Sequence, residues 1–393
     1  MKETLKGELA PASTSPKHLL SQNGNGSMSS NNSLKTAIKL VVKAVTPKLY
    51  RLPQKIFYKI KENLNKKILP LNIKLSIKHI HGPLKIEYEK DELIVTCLVR
   101  NGEIYIASFI QYYLMLGVKH IVFLDNGSTD RTVKIAQTYK NVTILQSLCP
   151  YSKYETSMKK YLVNRFSKNR WNLFVDIDEF FDYPFSNLLN MKDFLNYLNR
   201  NSYTAVVSQM LDMFSDKSLS DLEDPISDDI KGRYLYYDIS QISPSKYGYG
   251  HLENEKIKMH YGGIRKILFG TDNGLTKAAL VFVDKKNNLF ADWHHVTNAK
   301  LADFTCVLLH YPFTSSFYNK VMDAVETNRY ALSASHEYAK YWDRIRTNQD
   351  FTIKRATSSK LNGLPELIDK GFLVVSDRYI QWINDIQISS RNF

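Results

Sequence analysis

The feature that most constrains this fold is a regular alternation of short apolar runs with helical patterns in the middle of the chain. Four apolar, β-branched runs predict buried strands at Leu93–Val99, His120–Leu124, Val142–Leu145 and Leu173–Asp176. The segments between them predict helices at Glu103–Leu116, Asp130–Tyr139 and Glu155–Lys168. This order predicts an α/β fold with a mainly parallel central sheet and helices on both faces.

The remainder of the chain continues the mixed pattern less regularly. Three further strands and one helix are predicted, at Thr204–Met210, Ala279–Val283, Thr305–Leu309 and Asp193–Asn199 respectively. Residues 215–250 are polar and predict a long loop or lid. Residues 316–393 predict mostly helix. We therefore expect one α/β domain over residues 87–315, followed by a helical C-terminal extension over 316–393.

The positive charge of the chain is concentrated near its N-terminus. Thirteen basic residues and a single acid, Glu62, lie between Lys35 and Lys85, which accounts for +12 of the net charge of +14. Residues 1–34 are rich in Ser, Asn, Gly and Pro and predict a disordered tail. Residues 35–86 predict a basic amphipathic segment. Such a segment suits either an anionic membrane surface or ordinary helices packed on the main domain, and both interpretations stay open.

Charge and composition also narrow the class of protein and its compartment. Outside the basic segment the chain is nearly neutral, which argues against nucleic acid as a partner. Neither an apolar run of membrane-spanning length nor an export-signal pattern is present in the sequence. The three cysteines are widely spaced and form no metal-binding motif. These features favour a cytoplasmic protein, and the basic segment extends that hypothesis to peripheral contact with the inner face of the membrane.

Three acids within four residues, at the end of the fourth predicted strand, form the strongest candidate site. Asp176 and Asp178 point to the same side of an extended chain, and Glu179 follows directly. Two carboxylates on one side repel each other unless a cation lies between them. Their oxygens suit a hard divalent ion such as Mg²⁺ or Mn²⁺. The alternative interpretation is a strand end with solvated acids.

A second candidate site is the turn that follows the second predicted strand, Asp125-Asn126-Gly127-Ser128-Thr129-Asp130-Arg131-Thr132. Asp125 at the strand end is suited to accept hydrogen bonds from a base or ribose. The turn and the following helix start are suited to present amide N–H groups to a ligand. The alternative is a turn composed of residues that simply favour turns.

Together these motifs resemble the family-2-type glycosyltransferases, in the branch with an R-N-E opening and a D-x-D-E-F metal motif. The resemblance is carried by Leu98–Glu103, Leu116–Asp130 and Val175–Phe181. One departure is Gly102, where the family usually has Glu; here Glu103 follows instead. The resemblance implies a GT-A fold, a nucleotide-diphosphate sugar as donor and a divalent metal. It implies that Asp125 lies near the base, and that Asp176 and Asp178 hold the ribose and the diphosphate-bound metal.

The candidate site residues are assigned as follows. Candidate contacts to the nucleotide sugar are Val99, Arg100, Asn101, Asp125, Asp130, Asp176, Arg265 and Lys277. Arg265 and Lys277 lie in segments similar to the family and are predicted to neutralise phosphate oxygens, although a surface basic pair is the alternative. Candidate metal ligands are Asp176, Asp178, His295 and His310, with His295 preferred over His310.

An inverting transfer requires a base near the acceptor hydroxyl. Asp212 and Glu179 are the candidate catalytic acids, and three acids of the predicted lid compete with Asp212: Asp216, Asp221 and Glu223. The leading hypothesis is sugar transfer to a glycan or a lipid-linked acceptor. The alternatives are a sugar nucleotidyltransferase and a non-catalytic scaffold at the membrane surface with a degenerate GT-A fold. The first lacks the Gly-rich loop it usually needs after the first strand, and the paired acids argue against the second.

Overall fold

A computed structural model of the chain describes residues 68–224, 229–284, 294–347 and 350–391. The chain divides into two compact units, residues 1–64 and residues 65–393. The predicted tail over residues 1–34 and most of the basic segment lie outside the described residues. The second unit holds every element named below.

The described residues form a mixed α/β fold. The strands are β1 (Lys78–His81), β2 (Leu93–Val99), β3 (His120–Asp125), β4 (Val142–Gln146), β5 (Trp171–Phe174), β6 (Glu179–Asp182), β7 (Ala205–Asp212), β8 (Tyr236–Tyr237), β9 (Ile242–Lys246), β10 (Lys258–Gly262), β11 (Thr276–Phe282), β12 (Leu301–His310) and β13 (Ser359–Lys360). The helices are α1 (Glu103–Met115), α2 (Thr132–Ala136), α3 (Tyr151–Phe166), α4 (Met191–Arg200), α5 (Ile230–Arg233), α6 (Ile264–Phe269), α7 (Phe317–Thr327), α8 (Leu332–Ile345), α9 (Leu364–Asp369) and α10 (Asp377–Arg391).

Within the described ranges, nine strands form one central sheet in the order β1-β4-β3-β2-β5-β11-β7-β12-β6. The β4-β3-β2-β5 half is parallel, as the β-α-β pattern predicts. The other half is mixed, because β11 runs antiparallel to both β5 and β7 while β12 runs parallel to β7. The predicted α/β class is therefore confirmed, and the sheet is mixed rather than mainly parallel along its whole width.

The core lies on both faces of this sheet. Every residue of β2 is buried, as expected for a strand covered on both sides. Its alternate residues enter two apolar clusters, one shared with α1 and α4 and the other with α3. Helix α4 begins at the Asn190 cap, whose side chain accepts a hydrogen bond from the amide of Asp193. No helix in the described ranges is both long enough and apolar enough to cross a bilayer.

Several element bounds differ from the sequence prediction for identifiable reasons. Residues 68–76 are helical and β1 pairs with β4, so the end of the predicted basic segment belongs to the sheet. Helix α2 starts at Thr132 and not at Asp130, because Asp130 and Arg131 are hydrogen-bonded to Glu103 of α1. Strand β7 extends to Asp212, because this residue pairs with His310 of β12.

The predicted loop over residues 215–250 contains short elements in its described part, including α5, β8 and β9. Residues 316–391 carry the helices α7 to α10. Leu367, Phe372 and Tyr379 of this region are buried in the same cluster as the sheet. Helices α9 and α10 therefore share the core of the sheet, while α7 and α8 pack in a further apolar cluster with α6.

Candidate active site

The parallel strands open at their carboxyl ends onto a cavity of about 860 Å³. The cavity is lined by the turn after β2, by the Asp176–Glu179 turn after β5 and by His310 at the end of β12. The helices α7 and α8 contribute further lining residues between Ser316 and Tyr341. Ligands of open α/β sheets bind at this edge, so the cavity lies where such a site is expected.

The turn Asp176–Glu179, here called the acidic turn, is closed by a hydrogen bond to Glu179. The amide of Asp176 donates a hydrogen bond to Oε2 of Glu179 at 2.8 Å. Nζ of Lys277, on β11, donates to the same Oε2 at 2.6 Å and to Oδ2 of Asp176 at 3.3 Å. Burial disfavours the charged lysine, but attraction to Asp176 and Glu179 outweighs burial and raises the pKa of Lys277. Lys277 therefore neutralises the acidic turn and does not line the cavity, where a phosphate ligand was predicted.

The second aspartate of the turn is held from the opposite side. Nζ of Lys320, on α7, lies 2.8 Å from Oδ2 of Asp178, and Nε2 of His310 lies 3.7 Å from the same oxygen. The Asp178 side chain is only 6% exposed. Burial opposes ionisation, but Lys320 and His310 hold the pKa of Asp178 well below its usual range. Asp178 is therefore ionised at neutral pH.

His310 connects this aspartate to a second buried acid. Its Nδ1 lies 2.6 Å from Oδ1 of Asp212, and the guanidinium of Arg265 donates through Nε to Oδ2 of Asp212 at 2.8 Å. Burial disfavours protonation of His310, but the carboxylates of Asp178 and Asp212 outweigh it and raise its pKa to about 9. The result is a row of alternating charges that runs from Lys320 through Asp178, His310 and Asp212 to Arg265.

These ion pairs involve two predicted site residues: Asp212, the candidate catalytic base, and Arg265, a candidate phosphate ligand. Asp212 is 5% exposed and lies behind the cavity wall, with its two oxygens bonded to His310 and Arg265. Arg265 lines the cavity, but it also binds Oε1 of Glu337 at 3.1 Å, so two carboxylates already neutralise it. Asp212 therefore orients the ring of His310 and does not line the cavity. The lid acid Asp216 is exposed and lies outside the cavity lining.

The turn after β3 is bonded to the turn after β2. Asp125 is fully buried, and its carboxylate accepts hydrogen bonds from the amides of Gly127 and Ser128 and from Gln146. Asp130 accepts hydrogen bonds from the amides of Glu103 and Thr132. The amides of Thr129 and Arg131 donate to the side chains of Asn101 and Glu103. The amides predicted to bind a ligand are therefore used within the protein, and Asn126 lines the cavity where Asp125 was expected.

The two adjacent histidines that precede β12 have different positions. The ring of His295 stacks on Tyr249, with centroids 4.0 Å apart and planes 8° apart, and does not line the cavity. His294 lines the cavity. Burial, together with Lys277, lowers the pKa of His294 to about 3, so it is a neutral imidazole. Of the predicted histidine ligands, the structure brings His310 to the acidic turn and keeps His295 away from it.

The acidic turn offers carboxylate oxygens, which are the type of ligand that a divalent cation such as Mg²⁺ or Mn²⁺ prefers. Asp176 is 38% exposed and lines the cavity, and both ion pairs of Asp178 use Oδ2 only. His310 is bonded through Nδ1 to Asp212, an arrangement that orients metal-ligating imidazoles. In the part of the chain that the structure describes, no three His, Cys, Asp or Glu side chains form a ready cluster of metal ligands. Asp176 and Asp178 are the pair suited to hold such an ion.

The cavity also contains residues that sequence reasoning missed. Lys320, Arg329 and Glu337 all line it, although residues 316–393 were predicted only as helix. Lys320 and Asp178 are 142 positions apart, so no local pattern links them. Of the predicted residues, the structure brings together Val99, Arg100, Asn101, Asp176, Asp178, Glu179, Arg265 and His310 as cavity lining.

No protein-family model matches this chain, and no curated protein matches it in sequence. The likeness to glycosyltransferases therefore rests on the three sequence stretches that carry it.

Proposed function

We propose that this protein is a glycosyltransferase with a GT-A-type fold. It transfers a sugar from a nucleotide-diphosphate sugar to a hydroxyl group of a glycan or a lipid-linked acceptor. The observation that carries the proposal is the position of Asp176 and Asp178, which line a cavity of about 860 Å³ beyond the carboxyl ends of the parallel strands. Cavities for small molecules span roughly 300–1,000 Å³, so the volume of this one supports a nucleotide sugar as its ligand. Inversion at the anomeric carbon is proposed on the sequence resemblance.

A divalent cation, Mn²⁺ or Mg²⁺, is part of the proposal. Asp176 and Asp178 would hold it, and His310 is the candidate third ligand. When bound, such a cation neutralises the negative charge that develops on a diphosphate leaving group.

The other charged side chains give this site a fixed electrostatic frame. Lys277 keeps Asp176 beside Glu179, and Lys320 keeps Asp178 ionised. Asp212 orients His310 through its Nδ1. Because these groups are positioned before a ligand arrives, little reorganisation is needed when charge develops during transfer.

The proposal is tested by calorimetry with UDP-, GDP-, dTDP- and CMP-sugars, with and without Mn²⁺. We expect one diphosphate sugar to bind, more tightly with Mn²⁺. The variant Asp178→Asn keeps the shape of the side chain and removes its charge, so it should weaken this binding by about tenfold or more. Asp216→Asn, which removes an exposed acid outside the cavity lining, is the matched control. If no nucleotide sugar binds in either metal condition, the glycosyltransferase proposal is wrong.

A further inference from the structure

The two cations that the sequence assigns to phosphate each bind two carboxylates already, whereas Lys320 binds one. Arg265 binds Asp212 and Glu337, and Lys277 binds Glu179 and Asp176. Their side chains are 8% and 2% exposed. The amides of the turn after β3 are likewise bonded to side chains of the protein. A diphosphate in this cavity therefore needs other partners.

We infer that Arg100, Lys320 and Arg329 form an anion subsite, which receives the diphosphate of the donor. This inference rests on the proposed function and deepens it, because it assigns the diphosphate to three side chains of the chain itself. The three cations come from separate segments: the turn after β2, helix α7 and the connection between α7 and α8. All three line the same cavity.

Arg100 is held only loosely by the protein. Its Nη2 lies 3.8 Å from Oδ1 of Asp323, which is long for a hydrogen-bonded ion pair, and its side chain is 25% exposed. Its Nε is buried and has no hydrogen-bond partner among the described residues. A buried N–H group without a partner costs free energy, and a phosphate oxygen in the cavity would satisfy it.

Arg329, in the connection between α7 and α8, also has a guanidinium N–H group without a hydrogen-bond partner in the described part of the chain. Its guanidinium lies over the rings of Tyr151 and Tyr330, at 5.2 Å and 5.5 Å from their centroids. Its Nη2 makes one long hydrogen bond of 3.5 Å to Oδ1 of Asn126, and its buried Nε also lacks a partner in the described part of the chain. The two rings fix the position of the guanidinium, and its N–H groups remain suited to bind phosphate oxygens in pairs.

Lys320 connects this subsite to the acidic turn. It lies three residues before Asp323 on α7, so the two side chains share one face of the helix. Asp323 is the residue that Arg100 approaches, and Lys320 itself binds Asp178. Its side chain is 32% exposed and lies in the cavity lining. Lys320 therefore connects the acidic turn to the part of the cavity that Arg100 lines.

The subsite is tested with inorganic pyrophosphate, whose binding does not depend on the identity of the base. Calorimetry on the full chain in EDTA removes any contribution of a metal ion. We expect the wild type to bind pyrophosphate, and Arg100→Gln and Arg329→Gln each to weaken binding by about tenfold or more, because a hydrogen bond to a charged group is lost. Lys340→Gln is the matched control, since it removes one positive charge from the same cavity at a lysine bonded to the carbonyl of Gly270.

Lys320 needs a second variant, because Lys320→Gln removes the nearer of the two cations beside the buried Asp178. Lys320→Arg keeps the charge and is expected to retain most of the pyrophosphate affinity, whereas Lys320→Gln is expected to lose it. Circular dichroism and thermal unfolding of each variant separate a binding defect from a folding defect.

A competition experiment distinguishes the donor from an acidic acceptor as the source of the anion. Pyrophosphate is expected to compete with whichever nucleotide sugar of the panel binds. Simultaneous binding of the two would place the anion outside the donor site and overturn the inference. It is also overturned if the wild type does not bind pyrophosphate, or if folded Arg100→Gln and Arg329→Gln bind it as tightly as the wild type. A nucleotide sugar that still binds under those outcomes leaves the proposed function standing, and binding of neither ligand removes both.

Discussion

At the scale of single residues, the site is organised by a row of buried charges in which each group is neutralised by its neighbours. Asp212 is central, because it lies between His310 and Arg265. Removing one partner of a buried ion pair is far more costly than removing an exposed charge, since the remaining charge stays desolvated. The identities of these acids were visible in the sequence, but their partners were not.

Asp212→Asn should therefore destabilise the fold strongly. The substitution leaves Arg265 and His310 buried with less compensating charge, which should lower the free energy of unfolding by about 3–5 kcal/mol. Urea denaturation at neutral pH measures the loss. The control Asp216→Asn removes an exposed acid four residues later and should change stability by less than about 0.5 kcal/mol. Equal effects of the two substitutions would contradict the buried charge row.

His120 should make the protein less stable in acid. Burial lowers the pKa of His120 to about 4, and its Nε2 lies 2.9 Å from Oγ1 of Thr143. The unfolded chain binds a proton at its ordinary pKa of about 6.5. Above pH 6.5 this histidine is neutral in both states and does not change the free energy of unfolding. As the pH falls from 6.5 towards 4, the unfolded state takes up the proton more readily, so the free energy of unfolding decreases. The contribution of this histidine between pH 7 and pH 4 is roughly 3 kcal/mol.

Urea denaturation of the wild type and of His120→Gln at several pH values checks this dependence. The variant lacks the titrating imidazole, so its stability should fall less between pH 7 and pH 4. Parallel pH profiles for the two proteins would show that His120 does not contribute.

At the scale of elements, the sequence predicted what local patterns determine. The strands and helices between Leu93 and Phe174 were placed within a few residues, because buried parallel strands and helices have clear periodicities. The antiparallel insertion of β11 beside β5 was not predicted, since strand order depends on contacts between segments far apart in the chain. Asp176 and Asp178 were predicted as a site because they are close in sequence, whereas Lys320 on α7 lies 142 positions from Asp178 and no local pattern links the two.

The first strand of the sheet depends on a close approach at Gly82. This glycine has φ = 77°, and a Cβ atom there would lie 2.1 Å from the carbonyl oxygen of Val142 on β4. Gly82→Ala should therefore strain the backbone and separate β1 from β4, at a cost of about 1–3 kcal/mol. Thermal or urea unfolding measures the change. Gly248→Ala is the control, because nothing lies within 4 Å of its added Cβ. A Gly82→Ala protein as stable as this control would contradict the described pairing of β1.

At the scale of the whole molecule, residues 65–393 form one compact unit that includes both the sheet and the C-terminal helices. The sequence suggested a boundary near residue 315, because periodicity changes there from mixed to helical. Tyr379 of α10 stacks on Phe304 of β12 with ring centroids 4.2 Å apart, so the two regions share one core. Periodicity reports the type of an element and carries no information on which elements share a core.

Deleting residues 1–64 should leave this unit folded. We expect a single cooperative thermal transition within a few degrees of that of the full chain, because the described residues of the sheet's apolar clusters all lie after residue 64. If the basic segment binds anionic lipid, the deletion should also reduce flotation with phosphatidylserine vesicles and leave the weak flotation with neutral vesicles unchanged. Equal flotation of the two proteins would remove the membrane hypothesis, and loss of the cooperative transition would contradict the independence of the unit.

The pairing of β6 with β12 has a consequence for the order in which the site forms during synthesis. Glu179, which closes the acidic turn, lies opposite His310 in the sheet. A nascent chain that ends between them contains the acids but lacks β12 and the ammonium group of Lys320, which binds Asp178. Because ribosomes make the chain from the N-terminus, the parallel half has its strands early, while the acidic turn waits for β12 and α7. Premature termination before Lys320 should therefore yield chains in which the sheet has begun to form and the cavity around Asp178 has not.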